Sequence, residues 1–277
     1  MKGLPNRPTA TISLMLLSTA SCLATMTAAA DSPPTDSTGG AGGQLISKEE
    51  LASRYSGIDA RDIADGPFHG LYEIGTGNTV SYVTTDGRFL IKGDIIDLTT
   101  KTNVSEEHRA ARRATLLASI DPATAIVFSP KDKNRPVKHT ITIFTDVDCG
   151  YCRAFHRNIS DVTALGVEVR YVSYPRTGPK TASWAKAEGV WCAKDRQKAL
   201  TEAKLGADVP PPVAGCNAPV ATEYDLGRRI GVTGTPAVYS AGGVDIGGYL
   251  TPKQLIDTLE KLEPQEGSSK RGAGQNP

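Results

Sequence analysis

The 277-residue chain carries 31 Lys and Arg against 30 Asp and Glu, a formal net charge of +1. Removing residues 1–30, which hold Lys2 and Arg7 and no acid, turns the balance to −1, so there is no electrostatic footprint for nucleic acid or an anionic membrane surface. The length exceeds what one compact core usually needs and leaves room for two domains.

Residues 1–30 have the build of a secretory signal. Lys2 and Arg7 give a positive start, Ile12 to Leu23 a short apolar centre, and Ala28-Ala29-Ala30 a small-residue cleavage region. The apolar run is too short and too rich in Ser and Thr to cross a membrane as a helix. Cys22, in Ala20-Ser21-Cys22, offers lipoprotein acylation as the other processing route; Thr19 fits poorly where such sites prefer an apolar residue, so simple cleavage is the favoured reading. Cleavage leaves four of the five cysteines, in an oxidising compartment where disulfides persist.

Residues 31–44 are Pro, Gly and Ser with almost nothing apolar, the composition of a disordered tether. From Leu45 to Tyr55 the pattern fits a short helix, with Ser47 as N-cap and Glu49 and Glu50 in its first turn. Gly70 to Thr85 and Arg88 to Leu98 alternate like strands, interrupted by Gly75-Thr76-Gly77-Asn78 and by Asp86-Gly87, the second a hairpin signal. A meander of this size buries little surface and leaves edges open, a reason to pair with a second copy. Ser105 to Ile120 reads as a helix capped by Ser105, with Glu106 and Glu107 at its positive end. Few of its residues are apolar, so it is expected to connect domains and hold them apart.

Ala125 to Phe128 and Lys138 to Thr145 read as strands, and the second leads into Asp146-Val147-Asp148-Cys149-Gly150-Tyr151-Cys152. The residues after it space their apolar side chains like the start of a helix. Cys149 is thereby predicted at a helix N-terminus, where unpaired N–H groups and the macrodipole favour an anion, and the thiolate is the reactive form of cysteine. Cys152 falls about one turn later, close enough for the pair to open and close as a disulfide. Other readings of C-x-x-C stay open. With His156 it makes half a zinc site, though no second close Cys/His pair follows; a structural but reducible disulfide is another. Haem attachment needs His where Arg153 stands. His156 is expected to be half-exposed and not a ligand. Val167 to Tyr174 is the next strand, completing a βαβ unit with parallel pairing.

Lys180 to Lys204 is mostly helical, and Val209 to Gly215 forces a loop ending at Cys216. Cys192 and Cys216 resemble neither a zinc pair nor a catalytic C-x-x-C; a structural disulfide is the reading, with two buried thiols the alternative. Pro219 to Ile230 is a further helix, Ala237 to Ser240 and Val244 to Ile246 a hairpin, and Pro252 opens a last helix to about Leu262. Thr235-Pro236 reads on its own as a trans turn. Set opposite Cys149, however, the Thr235 backbone could pair with an extended substrate like an added strand.

The order of these parts, with Cys149-Gly150-Tyr151-Cys152, Trp191-Cys192-Ala193-Lys194, Cys216 and Gly234-Thr235-Pro236, resembles the periplasmic DsbC-type protein disulfide isomerases. The likeness runs through most of residues 45–262. It implies an α/β thioredoxin-like catalytic domain over 122–262, preceded by a small α+β cystatin-like dimerisation domain over 45–104 and a linker helix over 105–121; residues 263–277 have no role in the pattern and are expected to be a mobile tail. It further implies Cys149 as nucleophile, Cys152 as resolving thiol, Gly150, Tyr151, Thr235 and Pro236 as substrate contacts, Pro236 cis, and Cys192–Cys216 as a structural bridge. No metal or cofactor is implied. The activity implied is rearrangement of wrong disulfides in exported proteins, with chaperone activity beside it, in a periplasmic homodimer kept reduced by a membrane electron donor of the DsbD type. The DsbG group usually has Pro where this chain has Gly150. A net dithiol oxidase of the DsbA kind and a dimeric chaperone with secondary thiols are the competing functions.

Overall fold

The computed structural model describes residues 45–132 and 136–272, with side chains as far as Leu262. The signal, the tether and Cys22 lie outside the described residues.

The chain opens with α1 (Lys48–Arg54), whose N-cap Ser47 accepts from the Glu50 N–H at 3.1 Å. A 3-10 turn over Ala60–Asp62 leads to β1 (Ile63–Asp65), which the sequence pattern did not announce, and then to β2 (Leu71–Thr76), β3 (Thr79–Thr84) and β4 (Leu90–Ile91). These form an antiparallel sheet in sequence order, so β1 and β4 are its edges. A two-stranded ladder of β5 (Ile96–Asp97) and β6 (Thr102–Asn103) follows. Ile46, Leu51, Ile63, Ile74 and Val83 make the core beneath α1.

The connecting helix α2 spans Val104–Ala118 and departs from expectation twice. Its N-cap is Asn103, which accepts from Glu106 N–H at 2.9 Å; Ser105 is instead fully buried, its hydroxyl 2.6 Å from that of Tyr82 and accepting from Ile95 N–H at 2.8 Å. Nor is α2 a free spacer. The described residues all fall within one compact unit, and this polar helix engages its charges in specific contacts. Glu73 on β2, 3% exposed, bonds His108, while the Arg112 guanidinium donates to Gly75 O at 3.1 Å. Arg113, 2% exposed, donates to Asn78 Oδ1 at 2.7 Å and to Gly243 O at 2.6 Å, joining the N-terminal sheet to the C-terminal one.

The second sheet contains β7 (Ile126–Phe128), β8 (His139–Thr145), β9 (Val167–Ser173), β10 (Ala237–Ser240) and β11 (Asp245–Gly247), in the order β11-β10-β8-β9-β7. Only β8 and β9 are parallel, joined by α3 (Gly150–Arg157) and α4 (Ile159–Ala164) in the βαβ unit the pattern calls for. Strand side chains alternate between faces. Ile141, Ile143, Val169 and Tyr171 pack with Phe155 of α3, Leu200 of α6 (Arg196–Leu205) and Leu255 of α8 (Pro252–Gly272). Phe144 and Val172 pack on the other face with Leu117 of α2 and with Leu226 and Ile230 of α7 (Val220–Ile230). A sheet covered on both sides explains its near-continuous Val and Ile content. The turn between β10 and β11 needs Gly243: its φ is +78°, and a Cβ there would lie 2.1 Å from the Ala110 carbonyl oxygen of α2.

The remaining helix, α5 (Ala182–Trp191), ends at Cys192. At the C-terminus α8 does not stop near Leu262 but runs to Gly272.

Candidate active site

Strand β8 ends at Thr145, and the turn at Asp146–Asp148 delivers Cys149 to the N-cap of α3, with extended backbone (φ −77°, ψ 122°). The turn is built by Asp146, 2% exposed, which accepts from Asp148 N–H (2.9 Å), Arg176 N–H and Nε–H (3.0 and 3.1 Å) and the Ser183 hydroxyl (2.7 Å). Burial opposes its ionisation; these donors prevail and hold the carboxyl below its ordinary range.

Both Cys149 and Cys152 are free, and they are only 2% and 1% exposed. They ionise in opposite senses. The pKa of Cys149 falls to about 5, chiefly because the Cys152 thiol donates a hydrogen bond to its sulfur. Burial works against this. The Cys152 backbone N–H in the first turn of α3 and the charge of Arg176 add to the lowering. The Thr235 hydroxyl, buried and outside hydrogen-bond geometry with any described group, also favours the anion. Cys152 is pushed far above an ordinary thiol by burial first, then by its bond to Cys149; Lys204, Asp146 N–H and Thr145 oppose the shift. The surroundings thus drive two like groups apart, Cys149 toward the thiolate and Cys152 toward the protonated thiol.

Across from the thiols lies the 233–236 turn. Thr235–Pro236 is cis, and the Thr235 carbonyl oxygen lies 3.1 Å from the Cys149 sulfur, where it accepts from the thiol only while Cys149 is protonated. Gly150 is exposed, with open space where a Cβ would stand, and Tyr151 is 69% exposed, its ring 6.4 Å from that of Tyr249. Thus the turn brings Cys149, Cys152, Thr235 and Pro236 together, with Gly150 and Tyr151 on the rim. Cys192 and Cys216 are disulfide-bonded, Cα to Cα 6.0 Å, and tie the end of α5 to the loop before α7.

His156 is not half-exposed. It lies one turn beyond Cys152 on the covered face of α3, 3% exposed, with Nδ1 3.0 Å from the Tyr171 hydroxyl and Nε2 3.0 Å from that of Thr201. Burial and then the charge of Lys204 lower its pKa to about 4, so the ring is neutral. Among the described residues no cluster of three or more His, Cys, Asp or Glu could hold a metal ion. Arg176 and Lys204 bear on the thiols yet carry no sequence signal, since one is in a loop and the other ends an ordinary helix.

Residues 131–263 match the family described as a thioredoxin-like domain, and residues 26–106 match the disulfide bond isomerase protein N-terminal domain. The thiol:disulfide interchange protein DsbC of Escherichia coli K12 is 34% identical over 74% of this chain and 83% of its own length; that of Dickeya dadantii is 34% identical over 74% and 82%. The chain belongs to the DsbC family. It has the family's thioredoxin fold and the family's enzymatic function, thiol–disulfide interchange with disulfide isomerase activity. A disulfide interchange protein from Neisseria gonorrhoeae is similar in structure, with 27% identity, a TM-score of 0.42, and coverage of 51% of this chain and 97% of that one.

Proposed function

We propose that Cys149 and Cys152 carry out this interchange on misoxidised or unfolded exported proteins. The Cys149 thiolate attacks one sulfur of a wrong disulfide, forming a mixed disulfide and releasing the other substrate sulfur as a thiolate. A different substrate thiol then displaces Cys149 and completes an isomerisation. If none arrives, Cys152 attacks Cys149, the substrate leaves reduced, and the enzyme is left as the Cys149–Cys152 disulfide. The pair of free thiols in the first turn of α3, with Cys149 at its N-cap facing the cis Thr235–Pro236 bond, is the observation that carries this reading.

Gly150, Tyr151, Thr235 and Pro236 are the substrate contacts. The exposed Tyr151 ring offers apolar area, and the Thr235 backbone an edge for extended chain. The Cys192–Cys216 bridge is structural. Continued isomerisation needs the pair reduced in an oxidising compartment, which assigns the chain to the periplasm and gives it a membrane reductant of the DsbD type. A homodimer is supported by the N-terminal sheet: edge strand β4 is exposed together with Phe89, and Ile96 and Leu98 are exposed nearby. Two facing clefts would also serve a chaperone.

A Cys152→Ser variant should accumulate mixed disulfides through Cys149 with exported proteins. Rescue of scrambled ribonuclease by Cys149→Ser at the wild-type rate would sink the assignment.

A further inference from the structure

Three cations from three separate elements converge on the turn that carries Cys149. Arg153 lies one turn along α3, Lys186 is in α5, and Arg176 is in the loop after β9. They meet two carboxylates. Asp146 is buried and accepts from Arg176 Nε at 3.1 Å. Asp148, the residue before Cys149, offers Oδ1 to Lys186 Nζ at 2.7 Å, and the same oxygen lies 3.4 Å from Arg153 Nη2. Arg153 is held in place by its Nε, which donates to Val147 O at 3.0 Å. One carboxylate oxygen thus answers both a guanidinium and an ammonium, and the turn has one positive charge in excess. Overall composition is not the cause, since residues 31–277 together carry −1. Nor does the next acid of α5 correct it: Glu188 falls on a different helix face from Lys186 and accepts from the Trp184 indole at 2.9 Å. All three cations are partly exposed, within reach of a bound chain.

In the reduced enzyme the Cys149 thiolate balances this excess. Backbone continuity keeps it beside Asp148, and its charge and that of Arg176 act on each other. Attack removes the balance. The thiolate forms a bond to one client sulfur, the client disulfide breaks, and the electron pair departs with the negative charge on the other client sulfur. Cys149 is then neutral in the mixed disulfide, and the cations stand uncompensated next to the captured cysteine.

We propose that Arg153, Lys186 and Arg176 form a specificity wall favouring client cysteines flanked by Asp or Glu, whose carboxylate replaces the charge lost from Cys149 in the mixed disulfide. The inference rests on the reading of Cys149 as the attacking thiol. These side chains meet the segment beside the client cysteine and not the reacting sulfurs, so they decide which client is held and leave the exchange chemistry to the thiols. Each pairing is at the surface and is therefore modest and weakened by salt.

The test uses the full chain with Cys152→Ser, which holds the adduct on Cys149, and three short peptides with the cysteine flanked by Glu, Gln or Lys, each supplied as its symmetric disulfide. Acid quenching and mass spectrometry give the equilibrium constant of each adduct. Lys186→Gln should lower the Glu-to-Gln ratio of these constants about two- to fivefold, and Arg153→Gln should do the same. Arg176 is left intact because it helps to hold Asp146. Comparing the ratio between chains cancels the peptides' own thiol acidities. Lys186→Glu should place the Lys peptide ahead of the Glu peptide, and molar salt should erase the preference of the parent chain. A lysine that only pins α5 to the turn would change all three constants alike. That result, or an unchanged ratio in Lys186→Gln, overturns the proposal; should Lys186→Gln fail to fold, an unchanged ratio in Arg153→Gln does so. Failure of all three peptides to form an adduct with the parent chain would instead overturn the assignment of Cys149, and this inference with it.

Discussion

The donor that sets the reactivity of Cys149 is the Cys152 thiol, and removing that donor is a quantitative test. A hydrogen bond to a charged group contributes roughly 1.5–3 kcal/mol, about one to two pKa units. Cys152→Ala should therefore carry the Cys149 midpoint from about 5 to roughly 6 or 7, whereas Cys152→Ser retains a hydroxyl donor and should stay near the wild-type value. Thiolate ultraviolet absorbance gives the midpoint directly. Rate against a small disulfide probe must be compared at acid pH. An ordinary thiol with a pKa of about 8.5 is roughly 0.03% ionised at pH 5, against half for Cys149, but a thiolate loses nucleophilicity as its pKa falls. With a Brønsted slope of about 0.45 the net advantage of Cys149 is roughly forty-fold at pH 5 and vanishes near pH 7. Identical midpoints in the Ala and Ser variants, or a wild-type midpoint in the ordinary thiol range, would refute the reasoning.

Glu223, 3% exposed and accepting from Ser173 N–H at 2.6 Å, has its pKa raised by burial to about 8 from an ordinary 4.5. A raised folded-state value means that its contribution is complete below about 4.5 and is lost as pH climbs to about 8. The folded state should lose on the order of 3–5 kcal/mol across that window; Glu223→Gln should flatten the dependence in urea titrations, and parallel slopes for variant and wild type would refute it. At the edge strand, Ile91→Lys should place a charge where a second copy would pair and halve the mass seen by sedimentation. An unchanged dimer would move the interface elsewhere.

The catalytic half was legible because its signals are local. Alternating β-formers, a two-cysteine turn and a second apolar run define β8, α3 and β9 without reference to anything distant. Asn103 and Ser105 show where locality fails. Both residue types cap helices, and the choice is settled by Tyr82, 23 residues away, which claims the Ser105 hydroxyl. For His156 the sign was present in the spacing, since residues 152, 155 and 156 share one helical face, but only β9 and α6 reveal that this face is covered. Lys204 left no trace: a lysine near a helix C-terminus is ordinary, and its burial is a property of the sheet it meets.

The Arg113 contact has a mechanical consequence. Strand β10 begins at Ala237, directly after the cis bond facing Cys149, and its far end turns at Gly243, where the Arg113 guanidinium is anchored. The platform opposite Cys149 is thereby indexed to the helix that leaves the N-terminal sheet. In a pair of chains joined through those sheets, the spacing between the two reactive sulfurs would be fixed by stiff levers, and each cleft would keep its aim while clients of different size pass between them.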